Sequence, residues 1–114
     1  MATFSPKEVE YLSGQQLARL ATVSAKGAPH VVPVGFRLSD DGAAIDVGGH
    51  GFARSKKYRD LKANPRVAIV IDDLASVDPW RPRGIEVRGR AEALSDPPLI
   101  RIHPDRVISW GLES

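Results

Sequence analysis

Chemistry concentrates in one stretch of this 114-residue chain, from Gly48 to Pro65. Gly48, Gly49, His50 and Gly51 lead into Arg54, Ser55, Lys56, Lys57, Arg59 and Lys62, with Arg66 just beyond and Asp60 the one acid among these six cations. Glycines let backbone amides approach a ligand, and a helix N-terminus favours negative charge. Lysines beside such amides make a phosphate cradle, so the segment points to an anionic ligand. A solvated basic helix face is the competing reading of the charges, but it does not require the glycine lead-in. His50, beside those glycines, is the histidine best placed to touch a ligand.

Other reaction chemistries find little support. Cysteine is absent, which removes disulfides, thiolate metal sites and cysteine nucleophiles. His30, His50 and His103 fit no metal-binding spacing. Neither a Gly-x-Ser-x-Gly elbow nor a P-loop occurs, nor the Gly-x-Gly-x-x-Gly fingerprint. The acids Asp40, Asp41, Asp72 and Asp73 fall at expected strand ends, where turn chemistry accounts for them. With no nucleophile or acid–base pair in view, a reactive group would have to come from a bound cofactor. Trp80, between Pro79 and Pro82, is the aromatic expected in a loop, placed to pack on a partner or line a ligand site; Trp110 is expected in the core.

Composition bounds the rest. Hydrophobic residues make up 42% of the chain, ordinary for a globular protein, and the length suits a single domain over residues 1–114. The net charge is +2, and the sixteen basic residues divide evenly between residues 1–60 and 61–114. That balance, and the lack of aromatics interleaved with the positive charge, argues against nucleic acid as partner. No apolar run approaches the ~20 residues of a membrane span, and the first residues lack signal-peptide character; the expected location is cytoplasmic, without a membrane partner.

The elements that must position the cradle follow from pattern. Ser5, Pro6 and Glu8 form a capping box, with Phe4 and Val9 as its hydrophobic staple, for a helix over residues 6–13 ending at Gly14. Strands are expected over 18–23, 29–38, 44–47, 67–72 and 85–93, and then as two short pieces, 99–103 and 106–110, split by Pro104 and Asp105. His30, Val32, Val34, Phe36 and Leu38 alternate onto one face. Residues 67–72 are apolar on both faces, as for a strand buried on two sides, and residues 73–82 are expected as a loop. The basic helix, over 53–63, interrupts the strands and ends before Pro65. Short strands with two helices suggest a small β-barrel, which removes exposed sheet edges.

In this order the features resemble the pyridoxamine 5′-phosphate oxidase-like flavin and deazaflavin family. The matching pieces are Leu20-Ala-Thr-Val23, the run from Gly27 to Val34, the block from Ser55 to Arg66, Val87-Arg-Gly-Arg-Ala-Glu92, and the run from Ile100 to Gly111. The last block looks most like the actinobacterial branch that uses coenzyme F420 in place of FMN. The resemblance implies a mainly β, antiparallel Greek-key-type split β-barrel, and a homodimer with cofactor sites at the subunit interface. It implies a phosphate grip by Ser55, Lys56 and Lys57, where the family carries Ser-Arg-Lys; lysine keeps the charge and loses the bidentate fork. It implies backbone contacts to the ring from His30, Val32, Pro33 and Val34, with Val47, Gly48, Gly49 and His50 bordering it; Trp80, from its loop position, is assigned to the same site. The activity implied is hydride transfer between F420 and a small-molecule acceptor, hydrophobic or conjugated. An FMN-dependent reductase or oxidase, or a non-catalytic carrier of a cofactor or tetrapyrrole, are the alternatives. The basic C-terminal segment by which vitamin B6 oxidases bind pyridoxine phosphate has no counterpart identified here, so that oxidation is not the expected reaction.

Overall fold

The computed structural model describes residues 2–48, 61–95 and 98–112. Gly49, His50, Ser55, Lys56 and Lys57, with most of the expected basic helix, lie outside the described residues; positions 61–63 are helical. Helix α1 spans Pro6–Ser13, and the strands are β1 Leu17–Val23, β2 Pro29–Gly35, β3 Arg37–Leu38, β4 Ile45–Gly48, β5 Arg66–Ser76, β6 Arg81–Ser95 and β7 Pro98–Trp110. They form one antiparallel seven-stranded sheet in the order β2-β1-β5-β6-β7-β4-β3. The sheet curls until β2 approaches β4 without pairing to it, so the barrel is split along that seam.

Alternation decides which side faces in. Leu20, Ile45, Val47, Ile69, Ile71, Ile85, Val87, Ile100 and Ile102 are wholly buried inside the curl, each contributing about 1.5–3 kcal/mol of burial. His30, Val32, Val34, Phe36 and Leu38 share the inner side of β2 and β3, as expected, with Val34 the most buried. Helix α1 starts at its capping box, Glu8 N–H donating to Ser5 Oγ at 3.2 Å and Ser5 N–H to Glu8 Oε1 at 2.8 Å. Tyr11 and Leu12 then bury against the sheet.

Five expectations are corrected. Residues 99–110 form one strand, because Asp105 is extruded as a bulge where the pairing passes from Arg88↔Arg106 to Gly89↔Pro104; proline is tolerated at such a site. Residues 73–82 are mostly strand: β5 runs on to Ser76 and β6 begins at Arg81. Asp72 and Asp73 therefore lie within a strand, fixed by ion pairs to Arg19 at 2.7 Å and Arg83 at 2.7 Å. The second face of residues 67–72 is only half-buried at Ala68 and Val70, since it forms the outer side of the sheet. Trp110 lies outside the core, 37% exposed, over Gly84.

Two close approaches fix β6 between its neighbours. A Cβ at Gly84 would stand 2.7 Å from the Trp110 ring and 2.8 Å from Asp72 Cβ. A Cβ at Gly89 would collide with the carbonyl oxygen of His103. Helix α1 is held to this strand by polar contacts: Tyr11 donates to Asp73 Oδ1 at 2.8 Å, Arg83 grips the same carboxylate through Nε at 2.7 Å and Nη2 at 3.0 Å, and Arg83 lies 5.1 Å from the Tyr11 ring centroid. The Arg83 contact, aided by Tyr11, holds the Asp73 carboxyl below the usual aspartate range. Burial first, then Asp73, pushes the Tyr11 hydroxyl up.

Gly89→Ala is expected to cost more than the ~1 kcal/mol typical of a point substitution, because the opposing backbone must move; a urea melt that matches the parent would show that the bulge can yield. Asp73, depressed when folded, stabilises the fold above its unfolded value near 3.9, and that contribution is lost as pH falls through the lower folded value. Asp73→Asn is therefore expected to lower stability at neutral pH and to flatten the acid limb of the melting profile below about pH 4. An unchanged acid limb would dissociate the ion pair from acid sensitivity.

Candidate functional site

The seam is where the expected ring-contacting strands meet. A groove of about 320 Å³, lined by Gly35, Phe36, Arg37, Asp46, Gly48 and Leu99, lies where the chain crosses from β2 into β3 beside β4. Gly35 and Gly48 are exposed, so bare backbone is presented to the groove from both β2 and β4. Strand β2 is an edge of the sheet, which leaves alternate amides and carbonyls turned away from β1. From Gly48 the chain enters the glycine run and the Ser55–Lys57 block.

Individual residues fall out unequally. Val34 and Val47 are core residues, 6% and 0% exposed, so their side chains hold the walls together and only their backbones can meet a ligand. His30 and Val32 are half-buried on the inner side of β2, and Pro33 is exposed on the outer side. Trp80 is 67% exposed in the β5–β6 turn, at the opposite end of β6 from the Leu94↔Leu99 pairing beside the groove. Within one chain it does not reach the seam.

The residue that sequence reasoning missed is Asp46. It is 5% exposed, and Arg101 on β7 clamps it through Nε to Oδ1 at 2.9 Å and Nη2 to Oδ2 at 3.0 Å. This fork ties β4 to β7 at the groove wall and, through its hydrogen bonds, raises the Arg101 pKa further. Its only sequence signal was an acid at an otherwise apolar strand, Ile45-Asp46-Val47. Among the described residues no group of three His or acidic side chains could hold a metal ion, and no helix is long and apolar enough to cross a membrane.

A groove walled by glycine backbone fits a flat ring held by main-chain contacts better than a substrate held by charged side chains. The pyridoxamine 5′-phosphate oxidase family model matches residues 4–108. The chain belongs to that family. It is 40% identical over 120 residues, 96% of this chain and 84% of the relative, to a 5a,11a-dehydrotetracycline/5a,11a-dehydrooxytetracycline reductase of Streptomyces rimosus. A conserved hypothetical protein of Mycobacterium tuberculosis superposes with a TM-score of 0.81 at 21% identity, covering 97% of this chain and 87% of that one. A solved F420 reductase superposes with a TM-score of 0.72 at 24% identity, over 87% of this chain and 94% of that one. These likenesses agree with the split-barrel fold, and the family member is an oxidoreductase.

Asp46→Ala is expected to cost about 2 kcal/mol, because it strips the Arg101 guanidinium of its bidentate partner at a mostly buried site. A chemical melt within about 0.5 kcal/mol of the parent, the range of an ordinary surface substitution, would show that water replaces the carboxylate without loss.

Proposed function

We propose that this oxidoreductase is an F420-dependent reductase whose acceptor is a conjugated, polycyclic small molecule. The observation that carries the reading is the 40% identity to the dehydrotetracycline reductase across nearly the whole chain. The fold-level likeness to an F420 reductase supports the choice of cofactor, as does the likeness of the run from Ile100 to Gly111 to the deazaflavin-using branch.

In this reading Ser55, Lys56 and Lys57 hold the cofactor phosphate, and the glycine run brings backbone amides to the same group. The ring lies against the backbones of His30, Val32, Pro33 and Val34, bordered by Val47, Gly48, Gly49 and His50. When bound, the reduced deazaflavin supplies a hydride; a proton from water completes saturation of the acceptor's double bond. The chain's own part is to fix the ring plane, which the Asp46–Arg101 clamp serves by keeping the groove wall rigid.

The active form is proposed to be a homodimer with the cofactor sites at the interface. Val31, 67% exposed, lies opposite Ala21 on the outer side of β1 and β2, and Leu17, 52% exposed, lies farther along the same side; exposed apolar side chains of this kind are suited to burial against a second copy. Trp80, remote from the seam of its own chain, would then join the site of the other.

Titrating the chain with F420 and with FMN, followed by cofactor fluorescence, tests the reading. F420 is expected to bind more tightly, and Lys57→Ala to weaken it at least tenfold, about 1.4 kcal/mol. Tighter binding of FMN assigns the site to a flavin. Full F420 affinity in the variant removes Lys57 from the phosphate grip. Binding without turnover of 5a,11a-dehydrotetracycline or other conjugated polycyclic acceptors would instead favour a carrier.

A further inference from the structure

The outer side of the sheet carries an arrangement that folding alone does not favour. Arg66 on β5 is in direct register with Arg90 on β6, and Arg88 on β6 with Arg106 on β7. Like charges directly opposite one another across an antiparallel pair are destabilising, and here two such pairs sit on one face. Arg88 and Arg90 are two residues apart on the same strand, so the two arginine pairs are separated by roughly 7 Å. All four side chains are exposed.

The local acids do not cancel them. Glu86 meets Arg88 at 3.2 Å, Asp105 lies 4.0 Å from Arg90, and the neighbouring His103 is engaged by Glu92 at 3.0 Å. Arg66 and Arg106 have no ion-pair partner among the described residues. Three of the arginines line one groove of about 700 Å³, whose floor includes Ala21 and Ala68 and whose rim includes Asp105. The extruded Asp105 and the Pro65 carbonyl, which accepts from Ala91 N–H at 2.8 Å, hold the strand ends around it.

We propose that this groove binds an organic anion carrying two acidic groups about 7 Å apart on an apolar body, one group between Arg66 and Arg90 and the other beside Arg88, with the Arg106 charge just outside the groove adding to the field. Guanidinium pairs suit carboxylates because each presents a planar fork of donors. The apolar floor formed by Ala68, opposite Arg88 on β5, and Ala21 beyond it on β1 takes the ligand's hydrocarbon portion. The opposed arginines, costly when the groove is empty, then become the source of affinity. Binding needs no deazaflavin and engages no residue assigned above to the cofactor.

Isothermal titration of the full chain with tricarballylate, citrate and inorganic phosphate, at low and moderate salt, tests this. The tricarboxylates are expected to bind at least tenfold more tightly than phosphate, and Arg66→Gln/Arg90→Gln to weaken them at least tenfold while leaving the melting temperature unchanged or higher. An increased melting temperature with tricarballylate in the parent alone would support the same conclusion. Absence of tricarboxylate binding, equal affinity for phosphate, or undiminished affinity in the double variant would each overturn it. Sedimentation of both proteins covers a second copy as occupant: a parent dimer that becomes monomeric in the variant, with no tricarboxylate binding by the parent, would assign the face to self-association and overturn the anion site.

Discussion

The fold depends on how closely β5 and β7 can approach β6. That strand pairs with β5 from Arg81 to Arg90 and with β7 from Gly84 to Ser95, and side chains would stand in the way at two points. Gly84 admits the Trp110 ring and Asp72; Gly89 admits the carbonyl of His103 at the bulge. A bulge increases local twist and bends the strand that carries it. Extruding Asp105 therefore does more than accommodate Pro104. It helps turn a long hairpin into a curl whose far end brings β4 round towards β2, and the seam exists because the curl stops short of pairing them.

That incomplete closure is what makes a cofactor site physically reasonable. A fully paired barrel would use the backbone groups of β2 and β4 for its own ladder. A split one leaves some of them available to a ligand, at the risk of a ragged, mobile edge. The Asp46–Arg101 fork answers that risk on the β4 side, since two short charge-assisted hydrogen bonds on a nearly buried carboxylate hold the wall against β7. On the β2 side the work falls to packing, through Val34 and the half-buried Val32 and Phe36.

Where local chemistry decides structure, the sequence was readable. The capping box gave α1 its start, glycine its stop, and the alternation along residues 30–38 its inner face. Reading failed where an element was held by residues far away in the chain. Asp72 and Asp73 look like turn acids until Arg19 and Arg83 arrive beside them from β1 and β6. Pro104 looks like a strand breaker until the opposing Gly89 shows that a bulge absorbs it. Trp110 looks like core, yet the space it needs is provided by a glycine on the outer side. The candidate site divided the same way: β2 and Gly48 enter it through the family resemblance, whereas Asp46 becomes visible only once β7 is known to lie alongside β4.

The acids of the described fold are largely committed to holding it together. Asp46 is locked to Arg101, Asp73 to Arg83 and Tyr11, Asp72 to Arg19, and Asp41 to its own turn through Ser39 and Ala43. A general acid or base needs a proton it can give up near neutral pH. Asp41 and Asp73 are moved away from that range, downwards, and the Tyr11 hydroxyl is moved away upwards. Such a scaffold suits chemistry in which the bond-making electrons arrive with a bound cofactor and the protein contributes geometry. Chemistry of that kind needs no catalytic pair from the protein, which is why a reductase of this fold can show so little of its reaction in its side chains.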